Sequence, residues 1–409
     1  MGLSDKQRRI LRFPYEPDYN AIICDGAVRS GKTSIMALSF FLWAMANFNR
    51  CSFAFCGKSV GAVTRNIVTP LLGVRYLQDN FVLQYNRSDH VIIARRGEKE
   101  NLFYLFGGKD ESSAALIQGI TLAGVLLDEV ALMPRSFVEQ ALARCSVSGA
   151  KLWFNCNPEG PEHWFRKEWI LKTDKALHLH FTMDDNPSLD EETRERYKTM
   201  YSGVFYQRYV LGQWVMSEGL IYDMFDHTAN VYADDQKPLS LHFDGARTIT
   251  CDYGTTNPTV FLDVYDYDGI VYVEREYRWD SRDSENGGRQ KTDGEYADDM
   301  EAFMEGNQCA IIVDPSAASF IAELRRRGMY VIPANNEVLD GIRRTASLFA
   351  RRKLLINKAC TGLLGELGAY VWDEKASHYG EDKPVKEQDH GPDALRYFVN
   401  SLPDWRFER

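Results

Sequence analysis

The sequence predicts an α/β protein of two domains, and three observations predict it. Ala21–Phe48 reads as a strand, a glycine-bearing loop and a helix. A second set of strands, after residue 245, carries isolated aspartates at buried positions. The chain has 409 residues, more than one hydrophobic core usually organises. Its 44% apolar and 26% charged residues are those of a soluble globular protein. No apolar run reaches the roughly 20 residues needed to span a bilayer, so no membrane partner is expected. The N-terminus, MGLSDKQRRILRF, lacks the apolar core of a signal peptide.

The first element is AIICDGAVRSGKTS, Ala21 to Ser34. Ala21–Cys24 is a short apolar run that predicts a buried strand. Gly26–Thr33 fits G-x-x-x-x-G-K-[ST] at every fixed position. The following SIMALSFFLWAMANF is apolar around its whole circumference, which predicts a helix buried on most sides. Strand, loop and helix are the context this motif requires. Backbone N–H groups of the loop and the helix N-terminus, through Gly26, Arg29, Ser30, Gly31 and Ser34, would cradle phosphate oxygens. Lys32 would reach the β- and γ-phosphates, and Thr33 would hold Mg²⁺. The bland alternative is a chance match in an ordinary turn.

A second strand, CSFAFCG, follows. Gly124–Leu127 is a third, ending in Asp128-Glu129. In a P-loop enzyme the aspartate at this place joins the Mg²⁺ shell, and an adjacent glutamate orients the attacking water. KLWFNCNPEG is another apolar strand, ending in Asn155, Asn157 and Pro158. Amides there sense a γ-phosphate or simply cap the turn. Arg29 either stabilises charge on the transferring phosphoryl group or pairs with a neighbouring acid. Between these strands FVLQYN, HVIIARR and NLFYLFGG alternate well enough to predict an antiparallel addition. Residues 1–215 therefore read as an ASCE-type P-loop NTPase domain, with ATP and Mg²⁺ as its expected ligands.

Polar punctuation marks residues 216–245 as a linker. Beyond it, RTITCDYG is an apolar strand interrupted by Asp252. TVFLDVYDYDGIVYVEREYRW reads as a hairpin turning at Asp268-Gly269. EYADDMEAFMEG is compatible with a helix, and CAIIVDPSA is a buried strand ending in Asp314. DHGPDALRYFVNSL is helical from Gly391, with Pro392 and Asp393 in its first turn. A buried aspartate is costly unless paired or metal-bound. Asp252, Asp314 and Asp393 can meet if the two strands are neighbours and the last helix crosses their ends. Such a set suits two hard cations, Mg²⁺ or Mn²⁺, roughly 3.5–4 Å apart, which activate water and stabilise the leaving oxygen of a phosphodiester. The strand order is that of a ribonuclease H-like nuclease over residues 246–409. Taken singly, each aspartate reads as a cap or turn residue.

The eight cysteines include no C-x-x-C pair, which argues against zinc. Cys24, Cys56, Cys145, Cys156 and Cys251 sit in or beside apolar stretches and read as buried free thiols. The net charge of −10 does not itself point to nucleic acid. Arg325–Arg327, Arg343-Arg344 and Arg351–Lys353 nevertheless cluster in the last third, as solvated helix faces or as a DNA surface.

Taken together, GAVRSGKTS, IQGITLAGVLLDEVALMP, NCNPEGPEHWF, TCDYGTTNPTVFLDV, IIVDPSA and DHGPDALRY resemble the large terminase subunit of tailed bacteriophages, in that family's order and over nearly the whole chain. The resemblance implies an N-terminal DNA-translocating ATPase joined to a C-terminal metal-dependent endonuclease. By position it implies Lys32 and Thr33 as phosphate and Mg²⁺ contacts, Asp128 as the metal-shell acid, Glu129 as catalytic base and Arg29 as an arginine finger. Asn157 matches the coupling motif. Asp252, Asp314 and Asp393 match the nuclease ligands, with His390 beside them and Asp389 as a further acid. Gln7 and Tyr15 are the two candidates for the adenine contact. The implied partners are double-stranded DNA, a small terminase subunit and the portal of the procapsid, with a homo-oligomeric ring on the portal. The implied setting is the host bacterial cytoplasm and transiently the procapsid, not the mature virion. Two rival readings share these residues: a helicase or repair ATPase fused to a resolvase-like nuclease, and a nucleotide-gated scaffold.

Overall fold

Apolar runs of four to six residues without polar alternation form strands covered on both faces. The computed structural model, which describes residues 2–172, 174–254, 257–282 and 289–408, has this pattern in two mixed α/β units. One unit comprises Met1–Arg194, Tyr206–Met216 and His378–Glu381; the other comprises Glu195–Phe205, Ser217–Ser377 and Asp382–Arg409.

The first unit is built on β1 (Ala21–Gly26), β2 (Ser52–Gly57), β3 (Val82–Asn86), β4 (Val91–Arg96), β5 (Lys99–Gly107), β6 (Gly124–Asp128), β7 (Lys151–Asn155) and β8 (Ala176–Phe181). They form one sheet in the order β3-β4-β5-β2-β6-β7-β1-β8. From β5 to β8 the pairs are parallel. β3, β4 and β5 are antiparallel, the addition their alternation predicts. The helix Lys32–Asn47 packs on this sheet with Met36, Phe40, Phe41, Trp43 and Ala44 buried. Phe40 and Trp43 each lie 4.9 Å from Trp153 of β7, ring centre to ring centre. These aromatic contacts hold the helix on the sheet, and its first turn directly follows the loop at the end of β1, where parallel sheets carry their sites.

The second unit contains β9 (Val231–Tyr232), β10 (Ala246–Asp252), β11 (Thr259–Tyr267), β12 (Ile270–Trp279), β13 (Ala310–Val313), β14 (Val331–Pro333) and β15 (Leu354–Asn357), in the order β14-β13-β10-β11-β12-β15-β9. β10, β11 and β12 are antiparallel neighbours, with the hairpin turning at Asp268-Gly269 as expected. β10 and β13 are parallel, with Cys251 opposite Val313. Asp252 and Asp314 therefore sit one residue further on, at adjacent strand ends. The helix His390–Ser401 packs on β10, β11 and β13 and buries most of its surface.

All eight cysteines are free. Cys24, Cys56, Cys156 and Cys251 are buried, but Cys145 is only half-buried, because it ends the helix Arg135–Arg144. No described helix is long and apolar enough to cross a membrane.

One glycine is dictated by geometry. Gly26 has φ +119°, and a Cβ there would lie 2.0 Å from the carbonyl oxygen of Phe181. The absent side chain lets Ala27 N–H donate to that oxygen at 2.8 Å, closing the loop onto β8. Gly26→Ala is expected to destabilise the protein by at least ~2 kcal/mol, read as a lowered unfolding temperature in calorimetry. An unchanged transition would mean that the loop does not need this close approach.

Candidate functional site

The loop between β1 and the helix Lys32–Asn47 lines a cleft of about 440 Å³. Arg29, Ser30, Gly31, Lys32, Thr33, Ser34, Asp128, Glu129 and Asn157 all border it, so the structure brings the predicted residues of the first unit together. Gly26 lies behind the cleft and contributes its carbonyl. Gly31 caps the helix in the left-handed region, φ +82°. Arg29 and Glu129 are also left-handed, at φ 55° and 57°, a conformation that costs non-glycine residues energy and clusters at functional sites. Val28 N–H donates to Tyr209 O at 2.8 Å, a second anchor for the loop.

Lys32 is buried. Its ammonium donates to Gly26 O at 3.0 Å, Ala27 O at 2.7 Å, Ser30 Oγ at 3.2 Å and Asn157 Oδ1 at 3.3 Å. Burial pulls its pKa down, against nearby acidic groups. Asp128 ends β6 beside Asn155 of β7. Its carboxylate accepts from Thr33 Oγ1 at 3.2 Å, from Asn66 Nδ2 at 3.3 Å and from Asn155 Nδ2. Burial pushes the Asp128 pKa up, and these neutral donors only partly offset it. Asn155 Oδ1 is buried without a hydrogen-bond partner among the described residues. A buried carboxylate, a hydroxyl and an orphaned carbonyl oxygen make a donor set suited to a hard, hydrated cation. The loop and helix N-terminus beside it suit an anion.

Gln7 lies close to the loop: its Nε2 is 2.7 Å from where a Cβ on Gly31 would sit, whereas Tyr15 is 66% exposed. Asn66 and Asn186, which also border the cleft, carry no motif and were not legible. Nor was the cluster beneath the loop. Asp25, 1% exposed, accepts from His178 Nε2 at 2.8 Å, His180 Nδ1 at 3.1 Å and Trp214 Nε1 at 2.7 Å. The alternation of ALHLHF, which sends both imidazoles to one face of β8, was its only signal.

In the second unit a cleft of about 540 Å³ is bordered by Asp252, Lys386, Asp389, His390 and Asp393, among others. Asp389 precedes the helix His390–Ser401, and His390 and Asp393 occupy its first turn. His390 Nδ1 lies 2.8 Å from Asp252 Oδ2. Burial, followed by the charge of Asp393, raises the Asp252 pKa despite this contact. Burial lowers that of His390, but the Asp252 contact and surrounding acids prevail and raise it. Asp314 does not border the cleft. It is joined to Asp252 by Tyr397, whose hydroxyl lies 3.0 Å from Asp314 Oδ2 and 3.3 Å from Asp252 Oδ1. Tyr397 follows Asp393 by four residues, one helical turn, a spacing that could have revealed it. Carboxylates with an imidazole suit a divalent cation of the Mg²⁺ or Mn²⁺ kind. As they stand, no three Asp, Glu, His or Cys side chains among the described residues converge into a ready cage. Thr255 and Thr256 of the TCDYGTTNPTVFLDV motif lie outside the described residues.

Most arginines of the basic clusters have partners within the chain. Arg326 and Arg327 pair with Glu323, and Arg327 also pairs with Asp298 and Glu301. Arg343 and Arg344 pair with Asp340. Arg325 and Arg351 donate to backbone oxygens.

A family model for the N-terminal part of T4likevirus-type large terminase subunits matches residues 23–229. A large terminase from a thermophilic bacteriophage superposes with a TM-score of 0.92 at 51% identity, covering 98% of this chain and 99% of that one. The same phage protein in complex with ADP gives 0.89 at 50% identity, again over 98% and 99% of the two chains. In complex with ATP-γ-S it gives 0.89 at 49% identity and the same coverage. The comparison with curated protein sequences returns no match. The family and structural matches define a large subunit of a phage terminase. The chain belongs to the large terminase family.

The Asp25 cluster makes a prediction about pH. Burial alone would raise the Asp25 pKa, but the bonds from His178, His180 and Trp214 outweigh it and hold the carboxyl well below the usual range. A depressed folded pKa gives stability that is full above the unfolded value, about 4, and fades as pH falls below it. Asp25→Asn should therefore cost ~1–3 kcal/mol near neutral pH, with the gap to the parent closing in acid. Calorimetric melts of both proteins across that range check this, and a pH-independent gap would refute it.

Proposed function

We propose that the chain is the ATP-driven motor and nuclease of viral DNA packaging. Residues 1–215 are read as an ASCE-type P-loop ATPase and residues 246–409 as a ribonuclease H-like endonuclease; the stretch 216–245, expected as a linker, is instead folded almost wholly into the second unit, where Val231–Tyr232 pairs with β15 and Tyr232 and Leu241 are buried. ATP hydrolysis moves double-stranded DNA through the portal into the procapsid, and the nuclease cuts concatemeric DNA. The observation that carries the reading is the clustering of Lys32, Thr33, Asp128 and Asn155 at one cleft of the first unit. The complexes of the thermophilic phage terminase with ADP and ATP-γ-S support it.

In this reading Lys32 turns from the loop carbonyls to the β- and γ-phosphates. Thr33 and Asp128 would hold Mg²⁺, which neutralises charge on the phosphates when bound. Glu129 orients the attacking water, and Arg29 balances charge on the transferring group. Asn157, 3.3 Å from the Lys32 ammonium, exchanges that contact as phosphate arrives and leaves. Gln7 is the better placed of the two adenine candidates.

In the second unit Asp252, Asp314, Asp393 and His390 would hold two Mg²⁺ or Mn²⁺ ions, which supply activated water and stabilise the leaving oxygen. Tyr397 fixes the relative placement of Asp252 and Asp314. The antiparallel triplet β10-β11-β12 continued by parallel β13 and β14 supports the ribonuclease H-like assignment. DNA binding is sequence-tolerant and salt-dependent, through phosphate contacts. A small terminase subunit supplies site choice, and subunits work as a ring on the portal, in the host bacterial cytoplasm.

A packaging assay with purified procapsids tests the whole reading. Lys32→Ala should abolish ATP hydrolysis and packaging yet nick plasmid DNA in Mn²⁺ like the parent. Asp393→Asn should do the reverse, hydrolysing ATP while cleavage falls by roughly two orders of magnitude or more. Loss of both activities in either variant would sink the separation of sites.

Tyr397→Phe keeps the ring and removes the shared hydroxyl. It should lower Mn²⁺-dependent cleavage about 10–100-fold, the usual effect of losing a group that orients metal ligands. ATP hydrolysis should be untouched. Parental nicking rates would make Tyr397 a packing residue only.

A further inference from the structure

The second-unit cleft already contains a cation of its own. Lys386 Nζ lies 3.0 Å from Asp389 Oδ2 and 3.0 Å from Asp393 Oδ2. The two carboxylates are held in place, their side chains 8% and 9% exposed. The lysine side chain is 61% exposed. The chain just before it is nonetheless positioned. Val385 N–H donates to Val371 O at 3.0 Å, and Asp373 N–H to Lys383 O at 2.7 Å, just before the helix His390–Ser401 begins.

Asp393 has a second cationic neighbour of a different kind. Arg396 donates to Asp393 Oδ1 from Nε at 3.3 Å, and its Nη2 lies 3.1 Å from the same oxygen. Arg396 is 2% exposed and is tied to Asn336 O at 3.0 Å and Glu337 O at 3.3 Å. It cannot leave without stranding a buried guanidinium. Lys386 can leave, because its ammonium would rehydrate at the surface while the acids stay desolvated. Of the groups around these carboxylates, the lysine is the exchangeable one.

We propose that Lys386 is a built-in counter-ion that a divalent cation must displace from Asp389 and Asp393, so that this lysine sets the cation concentration at which the cleft fills. The inference rests on the reading of this cleft as a metal site. Asp393 is held between two internal cations, and its Oδ2 is taken by the ammonium. A freed Lys386 remains at the rim of the cleft, where an incoming phosphate can meet it.

The test is a Mn²⁺ titration by calorimetry on the full-length, nucleotide-free protein. Parent, Lys386→Gln, Lys386→Arg and Asp252→Asn are compared. The part of the binding isotherm that Asp252→Asn removes belongs to this cleft. Lys386→Gln should bind Mn²⁺ in that phase about tenfold more tightly, the scale of losing two partly exposed ion pairs. Lys386→Arg keeps the charge and should stay near the parent. The Mn²⁺ midpoint of plasmid nicking should shift down by the same factor. An Asp252-dependent phase unchanged or weakened in Lys386→Gln overturns the proposal and leaves the metal-site reading intact. Tightening in Lys386→Arg equal to that in Lys386→Gln overturns it too, since charge would not be the cause. If Asp252→Asn leaves the whole titration unchanged, the cleft is no cation site, and the proposal falls with the reading beneath it.

Discussion

A carboxylate buried at the end of a strand must be compensated, and much of this molecule is arranged around that requirement. Asp25, near the end of β1, and Asp128, which ends β6, are buried; Asp252, which ends β10, and Asp314, which follows β13, are half-buried. Desolvation of one such charge costs several kcal/mol when it is unpaired. The sheet cannot supply the compensation, because its own polar groups are used in the ladders. It comes from the next strand, from the helix above or from a loop. Each aspartate therefore fixes the relation of at least two elements.

What kind of group compensates the charge sorts the aspartates by role. Asp263, mid-strand in β11, accepts from Arg247 and Arg275. Two permanent cations leave no unmet demand, and the residue is structural. Asp25 receives two imidazoles and an indole N–H, which anchors the base of the loop. Asp128 receives only neutral amides and a hydroxyl, with its pKa raised by burial. Asp252 has one imidazole and a shared phenol. Among the described residues, Asp128 and Asp252 have no lysine or arginine partner of this kind, and charge left unbalanced in this way is what a metal ion answers; Asp393, in the second cleft, already carries two cations, Lys386 and Arg396.

The parts of this arrangement that were legible in the sequence are those set by local pattern. The G-x-x-x-x-G-K-[ST] spacing and its flanks gave the loop, because a fixed turn and a fixed helix start require fixed residues. Apolar strands ending in Asp128, Asp252 and Asp314 were visible for the same reason. Tyr397, Asn66, Asn186 and Lys386 were not. Their importance comes from distant elements that happen to converge: Asn66 and Asp128 are 62 positions apart, and Tyr397 and Asp252 are 145 apart. Asp314 shows the converse limit. Its strand was read correctly, yet only the packing of the last helix reveals that it meets Asp252 through a hydroxyl rather than across the open cleft.

The two clefts share one further device, a lysine held by the protein's own oxygens. In the first unit Lys32 is bound by two backbone carbonyls, a hydroxyl and an amide oxygen. All are neutral, and burial makes the charged state costly. An arriving polyphosphate thus offers this ammonium a stronger partner than any it has. In the second unit Lys386 is bound by two carboxylates, which raise its pKa against the effect of burial. There the lysine is already well satisfied, and the carboxylates are what an incoming ion must win. The first arrangement favours entry of an anion. The second, on the proposal above, raises the concentration a divalent cation needs before it can enter, so one residue type held by oxygens of opposite character favours opposite ligands in the two clefts.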